Sequence, residues 1–139
     1  MTGEINGIGK KRKHLIQNAI LFMEEQLNLS DIVIDVEVSN LFRNENAFGF
    51  CLSYTPTEFL IELDRTLDSY DLIETICHEM IHVKQYATGE LKEDGVSVVY
   101  KNCSYVLNND DSFPWEQEAY NNEKYYAELF LEYWNNGLK

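Results

Sequence analysis

Basic residues are scarce in this chain: 11 Lys and Arg stand against 24 Asp and Glu, giving a net charge of −13 over 139 residues. Four of the eleven form a single run, Lys10-Lys11-Arg12-Lys13, followed by His14, so the remainder is more acidic still. A body of that charge repels a polyanion, and nucleic acid is not an expected partner. The basic run reads as the solvated first turn of a helix. No C-x-x-C occurs, and Cys51, Cys77 and Cys103 are odd in number and widely spaced. That argues against a disulfide framework and for a reduced, cytoplasmic setting, with each cysteine a small buried hydrophobe. No stretch approaches the roughly 20 apolar residues needed to span a bilayer. Residues 1–9 are polar and Gly-rich, without the apolar centre of a signal peptide, so neither membrane attachment nor export by that route is expected.

What is present is enough for one core. At 45% hydrophobic and 13% aromatic, a chain of this size folds without staples. No repeat or linker divides it, so we expect a flexible N-terminus over 1–9 and one domain over 10–139. Residues 10–28 read as an amphipathic helix, with Leu15, Ala19, Phe22 and Leu27 near helical spacing. Residues 31–39 alternate in part and are rich in β-branched side chains, which predicts a strand. Further strands are expected over 47–54 and over 57–64, the latter after the Thr55-Pro56 turn. Asp68 or Ser69 caps a helix to about Tyr86, with Gly89 beyond its end. Residues 96–106 predict a hairpin turning at Lys101-Asn102 and opened by Gly95, and 108–111 a polar loop. Pro114 suits the first turn of a last helix running to about Trp134. The order is α, βββ, α, hairpin, α, an α+β pattern.

Residues 78–82 read His-Glu-Met-Ile-His. Histidines four apart lie on one helix face and close on one ion, while the intervening Glu79 projects about 100° away, toward a water rather than the metal. A random chain of this length contains the motif less than about 1% of the time. The helix supplies a separate test. With His78 as zero and about 100° per residue, Ile73, Ile76, Met80, Val83 and Ala87 fall within roughly 40° of the opposite side. His78, His82, Thr75 and Gln85 cluster on the other face, away from the apolar stripe on which core histidines would sit. Cys77 points elsewhere and is no ligand.

A catalytic zinc site takes three protein ligands and leaves one position open. His14 is far upstream in a basic segment. The better source is Glu116 or Glu118, in Pro114-Trp115-Glu116-Gln117-Glu118-Ala119-Tyr120. Two residues apart on a helix they diverge by about 200°, so only one faces the ion. Periodicity leaves the choice open, because both flank the helix's apolar stripe of Trp115, Ala119, Tyr126, Leu129 and Tyr133.

The run Leu72-Ile73-Glu74-Thr75-Ile76-Cys77-His78-Glu79-Met80-Ile81-His82-Val83-Lys84-Gln85-Tyr86, with the later Pro-Trp-Glu-x-Glu-Ala block, resembles small SprT-like and phage-type zinc metallopeptidases over roughly residues 55–125. The resemblance implies a minimal zincin-like fold, a small twisted sheet packed on the H-E-x-x-H helix with helices at both ends. Its E-x-x-A pattern implies Glu116, three before Ala119, as third ligand, with Glu118 outside it or as the alternative. The chain has neither the zinc ribbon nor the basic face that accompany action on DNA-bound proteins.

The expected function is therefore a hydrolase with one zinc ion per chain, Glu79 its general base, and a protein or peptide as substrate. Tyr86, Tyr100, Tyr105 and Tyr120 are candidates for holding an oxyanion, and Gln85 and Tyr120 for touching substrate. The strand over 57–64 is a candidate edge for pairing with an extended peptide. Two other readings stand beside this one: a non-catalytic zinc-binding adaptor, and a zinc hydrolase of a non-peptide bond.

Overall fold

The computed structural model describes residues 2–94, 97–106 and 113–137. Its elements, in chain order, are β1 (Thr2–Asn6), α1 (Lys10–Gln26), β2 (Val33–Ser39), α2 (Leu41–Glu45), β3 (Gly49–Thr55), β4 (Glu58–Asp64), α3 (Ser69–Ala87), β5 (Leu91–Asp94), β6 (Ser97–Tyr100), β7 (Cys103–Val106) and α4 (Pro114–Gly137). The fold is mixed α+β, one small domain with two sheets, as the sequence pattern predicts.

The larger sheet has the order β1-β2-β4-β3, with β1, β2 and β4 parallel and β3 antiparallel to β4. Its two faces differ because side chains alternate along a strand. Ile34, Val36 and Val38 of β2 and Phe59, Ile61 and Leu63 of β4 are buried on the inner face, whereas Val33, Asp35 and Glu37 point outward and are exposed. The inner face packs against α1 and α3, and α4 closes over α3. From α3 the predicted stripe, Ile73, Ile76, Met80 and Val83, enters this core fully buried. Burying each such side chain contributes about 1.5–3 kcal/mol, and the stripe fixes which face of α3 is left for chemistry.

The second sheet, β5-β6-β7, is antiparallel and forms a separate small core in which Leu91, Val98, Tyr100 and Trp115 are buried. The hairpin turns at Lys101 and Asn102, whose φ of 48° and 69° are those of a tight primed turn. Gly89 has φ +78 just past the end of α3, the left-handed position the sequence assigned to it. Gly95, Val96 and the loop over 108–111 lie outside the described residues.

Two expectations are corrected. The expected flexible N-terminus over 1–9 instead includes a strand, Thr2–Asn6, paired in parallel with β2 through Thr2↔Ile34 and Ile5↔Val36. Ile5 is buried, and Glu4 N donates to Asp35 Oδ1 at 2.8 Å. A polar segment becomes a strand here because β2 offers a free edge, so the domain begins ahead of residue 10. The strand over 57–64 is not an edge: β4 pairs with β2 from Val33↔Glu58 to Ser39↔Asp64 and with β3 on its other side. The edge beside α3 is β3. The sequence reading also assigned no element to α2 or β5.

Candidate metal centre and cleft

Asp68 caps α3, its Oδ1 accepting from Asp71 N at 2.8 Å, and the helix then runs unbroken through the motif. With its apolar stripe in the core, α3 presents His78 and His82 to the start of α4. Trp115 anchors that start in the small core, stacked on Phe113 at 4.5 Å between ring centroids. The neighbouring Glu116 is thereby aimed at the histidines. Its Oε1 lies 3.2 Å from His78 Nε2 and 3.2 Å from His82 Nε2, and the two Nε2 atoms are 3.3 Å apart. One ligand atom from each of these three residues lies within 4.8 Å of the others, a group able to hold a metal ion. Among the described residues no fourth His, Cys, Asp or Glu joins them.

Both rings are held from behind. His78 Nδ1 is 3.3 Å from Glu123 Oε1, and His82 Nδ1 is 2.8 Å from Gln85 Oε1. Glu118 is turned away from the ion position. Its Oε2 accepts from Lys84 Nζ at 3.0 Å, and its Oε1 accepts from Gln85 Nε2 at 2.9 Å and Tyr100 Oη at 2.6 Å. Glu116 and Glu118 thus separate as helix geometry requires, Glu116 to the histidines and Glu118 to the outer bonds.

The centre lies in a cleft of about 520 Å³, whose walls include Phe48, Gly49, Phe50 and Cys51 on one side and Trp115, Tyr120 and Glu123 on the other. Glu79 lines it too and is 6% exposed. Burial raises the Glu79 pKa, and the neighbouring His82 and His78 charges offset this in part. Burial works against charge on His78, yet the Glu116 and Glu123 carboxylates outweigh it and raise its pKa to about 10. His82 is raised in the same sense, chiefly by Glu116 once burial is overcome. Glu116 is held well below the usual carboxylate range, the two rings outweighing its burial. The electrostatic balance of the pocket calls for positive charge. Cys77, fully buried beside His78 in sequence, has its thiol pushed up to about 12 by burial, in keeping with a core role.

The candidate tyrosines separate. Tyr120 lies over His78 at 4.8 Å between ring centroids, half-exposed in the cleft. Tyr86 also lines the cleft, with its hydroxyl donating to Glu93 at 3.1 Å. Tyr100 is committed to Glu118, and Tyr105 packs on Trp115 at 5.4 Å. Gln85 is corrected as a substrate contact: it is fully buried beneath α4 and both ends of its amide are bonded inside the protein. His14 packs against Trp134, away from the centre.

Two site residues went unread in the sequence. Glu123 continues the row Glu116, Tyr120, Glu123 at i, i+4 and i+7 along α4, a spacing that was there to be seen. Gly49 starts β3 where α3 crosses it: a Cβ there would meet Thr75 Cγ2 at 2.7 Å and Glu79 Oε2 at 3.2 Å. A glycine inside a strand pattern is the usual mark of such a close approach.

Comparison with known proteins finds no match: no family model fits the chain, and no curated protein or solved structure is significantly similar to it. Among the described residues no helix is long and apolar enough to cross a membrane.

Proposed function

We propose that the chain is a zinc-dependent hydrolase, with a peptide bond as its substrate linkage. The observation that carries this reading is the gathering of His78, His82 and Glu116, one candidate ligand atom from each within 4.8 Å of the others, in a cleft also lined by a buried carboxylate, Glu79. A purely structural zinc site is closed by four protein ligands and has no use for a base beside it. The donor set suits zinc. Ligand atoms about 2.0–2.1 Å from a tetrahedral ion stand roughly 3.3 Å from each other, and the separations among His78 Nε2, His82 Nε2 and Glu116 Oε1 are 3.2, 3.2 and 3.3 Å. The resemblance to SprT-like and phage-type metallopeptidases points the same way.

His78, His82 and Glu116 would hold the zinc ion, which would supply Lewis acidity and make a water beside it more acidic. Glu79 accepts the proton of the attacking water and delivers it to the leaving amine, a task to which its raised pKa is suited. Tyr120, whose ring lies against His78 in the cleft, is the candidate for holding the developing oxyanion. β3 supplies the docking edge. Its seven residues include no charge, and its Gly49, Phe50 and Cys51 border the cleft. Free edges are ordinarily blunted by charge or proline, and an unblunted one beside a hydrolytic centre suits an extended chain adding as a further strand.

The test is metal analysis of protein purified without chelators, followed by digestion of a peptide library. The expected result is about one zinc per chain, and hydrolysis that falls at least ~10²-fold in Glu79→Gln while the zinc stays. A wild type that takes up no zinc overturns the reading. A zinc-loaded wild type that cleaves no peptide overturns the peptidase reading and leaves an adaptor or a hydrolase of a non-peptide bond.

A further inference from the structure

His82 offers Nε2 to the metal position, so its other nitrogen, Nδ1, decides how the ring is set. Nδ1 lies 2.8 Å from Gln85 Oε1. The amide nitrogen of Gln85 is 3.0 Å from the Trp115 carbonyl oxygen and 2.9 Å from Glu118 Oε1. A backbone carbonyl only accepts, and so does an ionised carboxylate. Turning the amide round would set the oxygen of the fully buried Gln85 against two oxygens, an arrangement with no hydrogen to share. The nitrogen of Gln85 must therefore face Trp115 and Glu118, and its oxygen must face His82. An amide oxygen also only accepts, so Nδ1 of His82 carries the hydrogen. In the neutral ring, Nε2 is then left with its lone pair.

We propose that Glu118 and the Trp115 carbonyl, acting through Gln85, select the tautomer of His82 whose Nε2 is free to bind the metal. Gln85 and Glu118 are positioning residues. The proposal rests on the reading of His78, His82 and Glu116 as a metal centre and extends it to this chain's own outer bonds.

Glu118 is fixed for the task from two elements, α3 and β6. Tyr100 of β6 donates to the same Oε1 that Gln85 uses, and Lys84 of α3 holds Oε2 at 3.0 Å. Tyr100 belongs to the small core with Trp115, so the second sheet holds both acceptors that orient Gln85. His78 is set by a different device, a single Glu123 oxygen at 3.3 Å. The difference makes the relay separable by experiment, because a change at Gln85 acts on one histidine and spares the other.

The experiment uses the full chain labelled with ¹⁵N-histidine, which carries only three histidines. Long-range proton–nitrogen spectra are recorded metal-free, at a pH where the rings are neutral, and zinc-loaded. Zinc affinity is measured by chelator competition on folded protein. In the wild type His82 is expected as the Nδ1–H tautomer in both states. Gln85→Met, apolar and of similar length, should mix the His82 tautomers, leave the His78 pattern in place and weaken zinc by ~10–100-fold, the range typical of outer partners of metal ligands. Glu118→Gln keeps an acceptor oxygen for Gln85 and should recover most of what Glu118→Ala loses. An Nε2–H tautomer at His82 in the metal-free wild type overturns the proposal, and this readout needs no variant to fold. Wild-type affinity in folded Gln85→Met overturns it as well, as do equal losses in Glu118→Gln and Glu118→Ala with His82 unchanged. A wild type that shows the Nδ1–H tautomer but takes up no zinc supports the relay and overturns the zinc reading.

Discussion

Glu116 and Glu118 stand two residues apart on α4 and serve opposite sides of His82: Glu116 Oε1 is 3.2 Å from its Nε2, and Glu118 Oε1 is 2.9 Å from the Gln85 amide that meets its Nδ1 at 2.8 Å. Their removal should differ accordingly. On the proposed centre Glu116→Ala deletes one of three ligand oxygens and nitrogens, leaves two histidines, and should cost zinc affinity by well over ~10²-fold. Glu118→Ala removes an outer bond and should cost ~10–100-fold. Competition against a chelator measures both. Near-normal binding in Glu116→Ala with weak binding in Glu118→Ala would reverse the assignment and leave the two histidines in place.

On the proposed centre zinc competes with protons for the nitrogens of His78 and His82, and the direction follows from the pKa shifts. In the metal-free protein the Glu116 and Glu123 carboxylates overcome burial and raise His78 to about 10, and His82 is raised too. At pH 7 His78 is charged, and zinc uptake there should release at least one proton per ion, with His82 shifted in the same direction. Affinity should climb with pH and level off near pH 10 for the His78 contribution. The linkage to stability has the sign of a raised base. In the metal-free state the His78 contribution is complete below its ordinary value of 6.5 and is lost as pH rises through about 10. Metal-free melting temperatures should fall over that window, while the zinc-loaded protein stays level. Titration calorimetry in two buffers of different ionisation heat counts the protons, and a count of zero would contradict a charged His78 in the metal-free site.

The parts of this molecule that were legible in its sequence are those whose cause is local. His78 and His82 share a helix face by spacing alone, and the stripe Ile73, Ile76, Met80 and Val83 needs only the 3.6-residue period to be read as core. Gly89 and the Lys101–Asn102 turn carried their own backbone chemistry. The illegible parts depend on which elements meet. Thr2–Asn6 has no strong strand pattern and acquires one from β2. β4 reads like an edge strand until β2 is known to pair with it along its whole length. Gln85 looked like a polar residue facing the cleft, because nothing in its own helix announces that α4 covers it. Glu123 shows the intermediate case: its row on α4 was readable, but that the row faces His78 depends on how two helices cross.

Gly49 should tolerate no side chain unless α3 yields. An alanine Cβ would lie 2.7 Å from Thr75 Cγ2 and 3.2 Å from both Glu79 Oε2 and the Glu62 carbonyl oxygen. Overpacking of this kind typically costs ~1–3 kcal/mol, and here the strain bears on the proposed base. Gly49→Ala is expected to lower both thermal stability and turnover while leaving zinc content unchanged. Thr75→Ser removes the nearest clashing carbon, so the double variant Gly49→Ala/Thr75→Ser should recover stability relative to Gly49→Ala. Melting curves of the single and double variants decide it. An additive double variant would mean that the close approach at Thr75 is not what Gly49 protects.

If an extended peptide joins the sheet at β3, its backbone N–H groups should matter at every second position, because alternate residues of a strand face the ladder. Replacing those N–H groups one at a time by N–CH₃ tests this without touching the fold of the protein. Zinc-loaded Glu79→Gln binds without cleaving and provides the receptor. Each lost ladder bond contributes ~0.5–1.5 kcal/mol, so affinity should fall by roughly 2–12-fold at alternate positions and stay close to the parent value between them. The outer face of β3 adds a second signature. Phe50 and Leu52 are exposed on it, Phe50 opposite Glu62 and Leu52 opposite Leu60 on β4. Peptide side chains that fall on this face should favour apolar residues, and Leu52→Lys should erase that preference while leaving the N-methyl pattern intact. Uniform losses along the peptide, or none, would show that substrate reaches the cleft without pairing to β3.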